Sequence, residues 1–171
     1  MAGMFFCGLF ISCENDLEEV QTITSATESP DEVVNNMHTL YSDSGIVKYE
    51  IIATRMEKYS TTNTTIFKDG FEVNFYREKD EIESHLEADY GEMREDENLI
   101  IARNNVIFTN YIENQTLKTE ELFWMQSTKV VSTKKQFEVF GDKYYARGKG
   151  LECNETFSDY KMHKVSVEKN L

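Results

Sequence analysis

Proline is almost absent from this chain. Pro30 is the only one in 171 residues and glycine occurs eight times, a composition that suits long uninterrupted strands and argues against a loop-rich scaffold. Cysteine is equally scarce. Cys7 and Cys13 lie in an apolar N-terminal stretch and Cys153 stands alone in the body, so no disulfide framework holds the fold. Cys153 reads as a small buried side chain rather than a nucleophile. Positive charge is outnumbered, with 18 Lys and Arg against 31 Asp and Glu and a formal net charge of −13. The cations are scattered singly apart from Lys134-Lys135, so nucleic acid is excluded as a partner.

Chemistry-bearing constellations are missing too. His38, His85 and His163 are far apart, and none has a second ligand at a recognisable metal spacing. There is no G-x-S-x-G elbow, no glycine-rich phosphate loop and no Cys/His couple, so the sequence singles out no catalytic residue, cofactor or metal, and paired carboxylates of the glycosidase kind stay open with no pair singled out. Glu92–Asn98 is acidic but lacks the ordered ligand spacing of a calcium loop and reads as a wet hairpin tip. His85 alternates with Ser84 and Leu86, which places it on the face opposite the apolar side chains as an exposed residue. The sequons at Asn63, Asn114 and Asn154 read as chance matches in an Asn- and Thr-rich chain.

What is present is alternation. Val47, Tyr49, Ile51 and Ala53; Phe71, Val73 and Phe75; and Ile82, Ser84, Leu86, Ala88 and Tyr90 follow the two-residue period of strands with one wet face. Turn-forming clusters punctuate them at Ser44-Gly45, Asp69-Gly70, Asp96–Asn98, Asn104-Asn105 and Gly141-Asp142. The middle of the chain also repeats. Leu86, Ala88, Met93, Leu99, Val106 and Phe108 return as Leu117, Thr119, Trp124, Val130, Phe137 and Val139, each displaced by the same interval. Repeated hairpins must stack to bury their apolar faces, so an open or rolled antiparallel sheet is expected. Its interior is either a filled core or an apolar groove for acyl chains, and periodicity leaves both open.

The N-terminus differs in kind. Met4–Ile11 is apolar but far short of the ~20 residues of a spanning helix, and Phe10-Ile11-Ser12-Cys13 resembles the lipobox of bacterial lipoproteins. The reading is a signal peptide over 1–12, lipid on Cys13, and a polar tether over 13–38. Several acyl chains on one cysteine give durable membrane attachment. Ser29-Pro30-Asp31-Glu32 carries helix-start signals, so a helical turn is expected over Pro30–Met37, with the sheet spanning 39–167 and a short tail over 168–171.

Leu40–Val47, Leu99–Phe108, Leu117–Trp124, and Gly148–Cys153 closing on Phe157–Tyr160 together resemble the LptC family, over about Leu40 to Val165. The resemblance implies an all-β, open twisted antiparallel β-jellyroll in the periplasm, anchored to the inner membrane. It implies a relay that accepts lipopolysaccharide from an inner-membrane ABC transporter and passes it to a periplasmic bridge protein of the LptA type. On that expectation acyl chains lie among Tyr49, Ile51, Phe75, Leu86, Tyr90, Val106, Phe108, Trp124 and Val139. The terminal strands, including Tyr41, Val47 and Ala53 at one end and Tyr145 and Leu151 at the other, would be partner edges. The competing reading is a structural or adhesive β-rich envelope lipoprotein with no lipid ligand.

Overall fold

In the computed structural model of the protein, residues 29–77 and 81–169 are described. The expected signal segment, the lipidated Cys13 and the tether up to residue 28 lie outside them. Among the described residues there is no α-helix, and eleven strands follow one another: β1 Glu32–Asp43, β2 Ile46–Tyr59, β3 Thr64–Tyr76, β4 Ile82–Ala88, β5 Tyr90–Arg94, β6 Leu99–Asn110, β7 Gln115–Met125, β8 Val130–Gly141, β9 Tyr144–Asn154, β10 Tyr160–Met162 and β11 Ser166–Lys169. Every pairing is antiparallel. The sheet runs from β1 through β2, β3, β4, β6, β7 and β8 to β9, with β5 continuing the line of β4, and with β10 and β11 both on the far side of β9. β1 does not pair with β10 or β11, so the sheet is open.

Most long strands change direction near the middle. The register shifts between Ala53 and Arg55 in β2, Arg103 and Val106 in β6, Thr119 and Phe123 in β7, and Thr133 and Gln136 in β8. The residues at these points suit a bend. Asp69 (φ 61°), Gly70 (φ 99°), Asn104 (φ 65°) and Asn105 (φ 52°) are all left-handed, the region that Gly, Asn and Asp tolerate best. Asp69-Gly70 and Asn104-Asn105, expected to be turns between strands, therefore lie inside β3 and β6. The left-handed preference was real, but it creases the strand as a bulge does instead of reversing it. Backbone bonds from Gly70 N to Asp89 O (3.0 Å) and Asp89 N to Asn104 O (3.1 Å) carry the crease across the sheet.

Folding along this line makes two layers from one sheet. Rings from strands that are not neighbours then meet: Trp124 of β7 packs edge-on to Phe75 of β3 (4.8 Å) and Tyr49 of β2 (5.0 Å). In the first layer one interstrand row runs Ile51, Val73, Leu86, Phe108, Leu117, Val139, Ala146. In the second a row runs Met93, Ile100, Trp124, Val131, Cys153. The sequence repeat is thereby explained, since five of its six matched pairs, all but Ala88 and Thr119, fall in the same row two strands apart. Burying each large side chain of these rows contributes about 1.5–3 kcal/mol. Cys153 is buried, and burial pushes its thiol pKa up.

The expected helical turn over Pro30–Met37 is not found; β1 occupies that segment from Glu32. Its register with β2 extends from Glu32 opposite Lys58 to Asp43 opposite Ile46. The helix-start signal, worth about 1 kcal/mol, is outweighed by a full strand ladder that also seats the β-branched Val33 and Val34. The sheet therefore begins some seven residues before Thr39.

Candidate functional site

Opposite the crease the two layers have free lips. The first layer's lip is a single row that reads Tyr49, Phe75, Ser84, Asn110, Gln115, Gly141, Tyr144. Here the alternation that places valine and leucine deeper in the layer delivers polar and aromatic residues. Four contacts close the mouth. Gln126 Nε2 donates to the Tyr49 hydroxyl (2.8 Å), Asn110 Nδ2 donates to Thr156 O (2.7 Å), Gln115 Nε2 donates to Phe157 O, and the Tyr144 and Tyr160 hydroxyls meet at 2.6 Å. Burial pushes the Tyr49 phenol up to about 12, so it stays a neutral hydrogen-bonding group at physiological pH. Gly141 is required beside Tyr144, whose ring occupies the space a Cβ would take.

Behind the lips the space is filled. Ile51, Phe75, Leu86, Val106, Phe108, Trp124 and Val139 are at most 6% exposed, and Tyr49 is half-buried against them. The inward orientation expected from alternation therefore holds for eight of the nine candidate groove residues, but no open trough separates them. Tyr90 is the exception. Asp89 interrupts the line between β4 and β5, so inward placement passes from Leu86 and Ala88 to Met93, with Gly91 against Phe67 and Phe71. Tyr90 turns outward beside Arg103. A one-residue irregularity exchanges the two faces of a strand, and Asp89 gave no sign of it. Among the described residues two buried polar atoms lack a partner, Ser84 Oγ and Trp124 Nε1, and both residues adjoin Phe75.

The family model described as "Lipopolysaccharide-assembly, LptC-related" matches residues 2–164. The chain belongs to this LptC-related family. Membership carries a role in lipopolysaccharide transport, in a family of transport components and not of enzymes. No curated protein matches the sequence. Among solved structures, the fold is similar to that of LptH from Pseudomonas aeruginosa, described as the LptA-homologous periplasmic component of the conserved lipopolysaccharide transport device. The TM-score is 0.55 with 8% identity, over 68% of this chain and 82% of that one. The LptC-related chain thus has an LptA-like β-jellyroll fold.

The partner edges need revision in this LptC-related fold. Of the five residues expected there, only Tyr41 lies on an edge strand, β1, where it is 50% exposed. Val47 and Ala53 belong to β2, which is paired on both sides by β1 and β3. Tyr145 and Leu151 belong to β9, covered by β8 on one side and by β11 and β10 on the other. The free edges are β1, formed largely by a segment read as tether, and the β10–β11 pair on the far side of β9. His85 faces outward as expected but is not simply exposed; its Nδ1 lies 2.6 Å from Asn74 Oδ1 and its side chain is 17% exposed.

The outer face carries charge in alternation. Glu57 receives Lys68 Nζ at 2.7 Å and Arg55 at 2.9 Å, while Glu92 and Glu121 flank Arg103 at 3.1 and 2.9 Å. A cavity of about 940 Å³ opens at the crease on Ile107, Lys118, Glu138 and Arg147, beside the Lys164–Ser166 segment. Among the described residues no group of three or more His, Cys, Asp or Glu could hold a metal ion, and no helix is long and apolar enough to cross a membrane.

The lip residues Asn110 and Gln115 were not singled out from the sequence, and Tyr144 and Phe157 were not assigned to a mouth. A signal existed: Asn110 and Gln115 end the alternations Val106, Phe108 and Leu117, Thr119 with polar side chains on the inward face. Phe157 is a lone aromatic within a run of turn-forming polar residues.

Proposed function

We propose that this protein is a periplasmic lipopolysaccharide relay. It accepts the glycolipid from an inner-membrane ABC transporter and passes it to a bridge protein of the LptA type, held at the inner membrane by lipid on Cys13. The observation that carries this reading is the continuous inward apolar row from Ile51 to Ala146, which crosses the sheet and stops near an unpaired edge on either side. A lipid lying between the layers along that row could pass to a neighbour added to the edge, strand against strand. Acyl chains would go inside, at about 25 cal/mol per Å² buried. Head groups would stay in water, away from a chain of net charge −13. β1 would face the transporter and the β10–β11 edge the bridge protein.

Because the interior is filled, loading requires the lips to part. That same filling supports the second reading, a structural envelope lipoprotein with no ligand. Photocrosslinking in cells separates the two. A relay gives lipopolysaccharide adducts from Phe75 or Phe108 and none from the outward Glu72, and its depletion strands lipopolysaccharide at the inner membrane. Silence at both inward positions together with normal export on depletion sinks the relay. Crosslinkers at Tyr41 and Lys161 test the two edges, and adducts to the transporter and bridge protein, respectively, are expected.

A further inference from the structure

The mouth is filled by the protein's own turn. Between β9 and β10 the chain folds over Asn154–Asp159 and inserts Phe157, which is 0% exposed and stacks on Phe108 at 5.5 Å. Phe157 holds a left-handed backbone with φ 53°, a conformation costly for a bulky residue and kept only where its surroundings impose it. The imposing groups are two buried side-chain amides of the opposite lip, Asn110 (0% exposed) and Gln115 (6% exposed). Asn110 donates to the carbonyl of Thr156 and Gln115 to that of Phe157. The other end of each amide is fixed as well. Asn110 Oδ1 accepts from Glu113 N (2.7 Å) and Gln115 Oε1 accepts from the Tyr144 hydroxyl (2.9 Å), so both N–H groups are aimed inward whatever occupies the mouth.

The turn thus offers the first layer carbonyl oxygens joined to an apolar body. A fatty-acyl ester or amide offers the same pair, a carbonyl oxygen followed by a methylene chain. We infer that the Asn154–Asp159 turn is a displaceable plug, and that the place it vacates binds fatty-acyl chains through their ester or amide carbonyls, with Asn110 and Gln115 as donors. This deepens the relay reading and rests on it. A hydrocarbon without a carbonyl would leave two buried donors unpaired and displace the plug poorly. The turn can leave as a unit, because Asn154 closes it internally with its side chain, Oδ1 accepting from Ser158 N (2.9 Å) and Nδ2 donating to Ser158 Oγ (2.8 Å).

The test uses the full chain with two probes below their micellar concentrations: a fluorophore-labelled lysophosphatidylcholine, whose single chain is ester-linked, and its ether-linked analogue. The wild type should bind the ester probe more tightly than the ether probe. Phe157→Ala should bind both on the order of tenfold more tightly, because the competing side chain is gone. Asn110→Ala or Gln115→Ala should lower the ester preference. Nuclear Overhauser contacts on the wild type need no variant. The contact between the Phe157 and Phe108 rings, stacked at 5.5 Å, should vanish when the ester probe binds. Binding with that contact retained, equal affinity for the two probes, or a folded Phe157→Ala that binds no more tightly overturns the plug and leaves the relay standing. Failure of both wild type and Phe157→Ala to bind either probe overturns the plug and the lipid reading together.

Discussion

The Tyr160 hydroxyl donates to that of Tyr144 at 2.6 Å, because the Tyr144 proton is already committed to Gln115 Oε1 at 2.9 Å. The chain of donors therefore has one direction, from β10 through Tyr144 to the amide that grips the Phe157 carbonyl. Burial holds the Tyr144 phenol well above the usual tyrosine range, so it remains a donor across the physiological pH range.

That direction makes the two tyrosines unequal. Tyr144→Phe leaves Gln115 Oε1 without its donor and should cost about 1–2 kcal/mol, or roughly 2–4 °C in Tm for each kcal/mol in a chain of this size. Tyr160→Phe leaves Gln115 satisfied and should cost less. Denaturant unfolding of the two variants checks the order, and equal losses would contradict it.

Glu57 should leave a mark on acid stability. Its hydrogen bond from Lys68, aided by Tyr59 and Arg55, holds its carboxyl down at about 2 against an ordinary value of 4.5. A depressed carboxyl stabilises the fold above its unfolded pKa and loses that contribution as pH falls through the folded one. The stability gap between wild type and Glu57→Gln should therefore be full above about pH 4.5 and close as pH falls towards 2. Urea titrations at stepped pH measure it.

Gly91→Ala should destabilise without touching the mouth. A Cβ there would meet the rings of Phe67 and Phe71 at 2.8 Å, and those rings stack at 5.4 Å in the core. Overpacking of this kind costs about 1–3 kcal/mol. An unchanged melting temperature would mean that the pair has slack.

Phe108 and Tyr90 should part company, although alternation placed them on the same inward face. Phe108→Ala removes a ring packed on both Phe75 and Phe157 and should cost about 3–5 kcal/mol. Tyr90→Ala should cost far less, and a photocrosslinker at Tyr90 should behave like one at Glu72. Strong lipopolysaccharide adducts from Tyr90 would refute the outward assignment.

Much of the fold was legible because the two-residue period holds over the stretches of strand on either side of the crease. Ile51, Val73, Leu86, Phe108 and Val139 point inward as alternation requires, and the equal displacement of Leu86 to Leu117 follows from shared interstrand rows. Legibility failed where a local signal met a tertiary one. Asp69-Gly70 and Asn104-Asn105 carry the backbone preference of a turn, and only pairing on both sides turns that preference into a bend. Ser29-Pro30 carries a helix start that β2 overrides by offering a partner. Asp89 reverses the facing of Tyr90 with no compositional trace. The mouth was hidden for a different reason: its contacts join residues such as Tyr49 and Gln126, separated by 77 positions, and no period reports a meeting across layers.

The crease has one more consequence. β2, β3, β6, β7, β8 and β9 each contribute to both layers, so neither layer can detach or slide, and parting the layers is a change of angle about the line through Gly70 and Asn104. The molecule is bound along its spine like a book: on the relay reading a guest would enter from the fore-edge and leave lengthwise, to a second volume placed against its end.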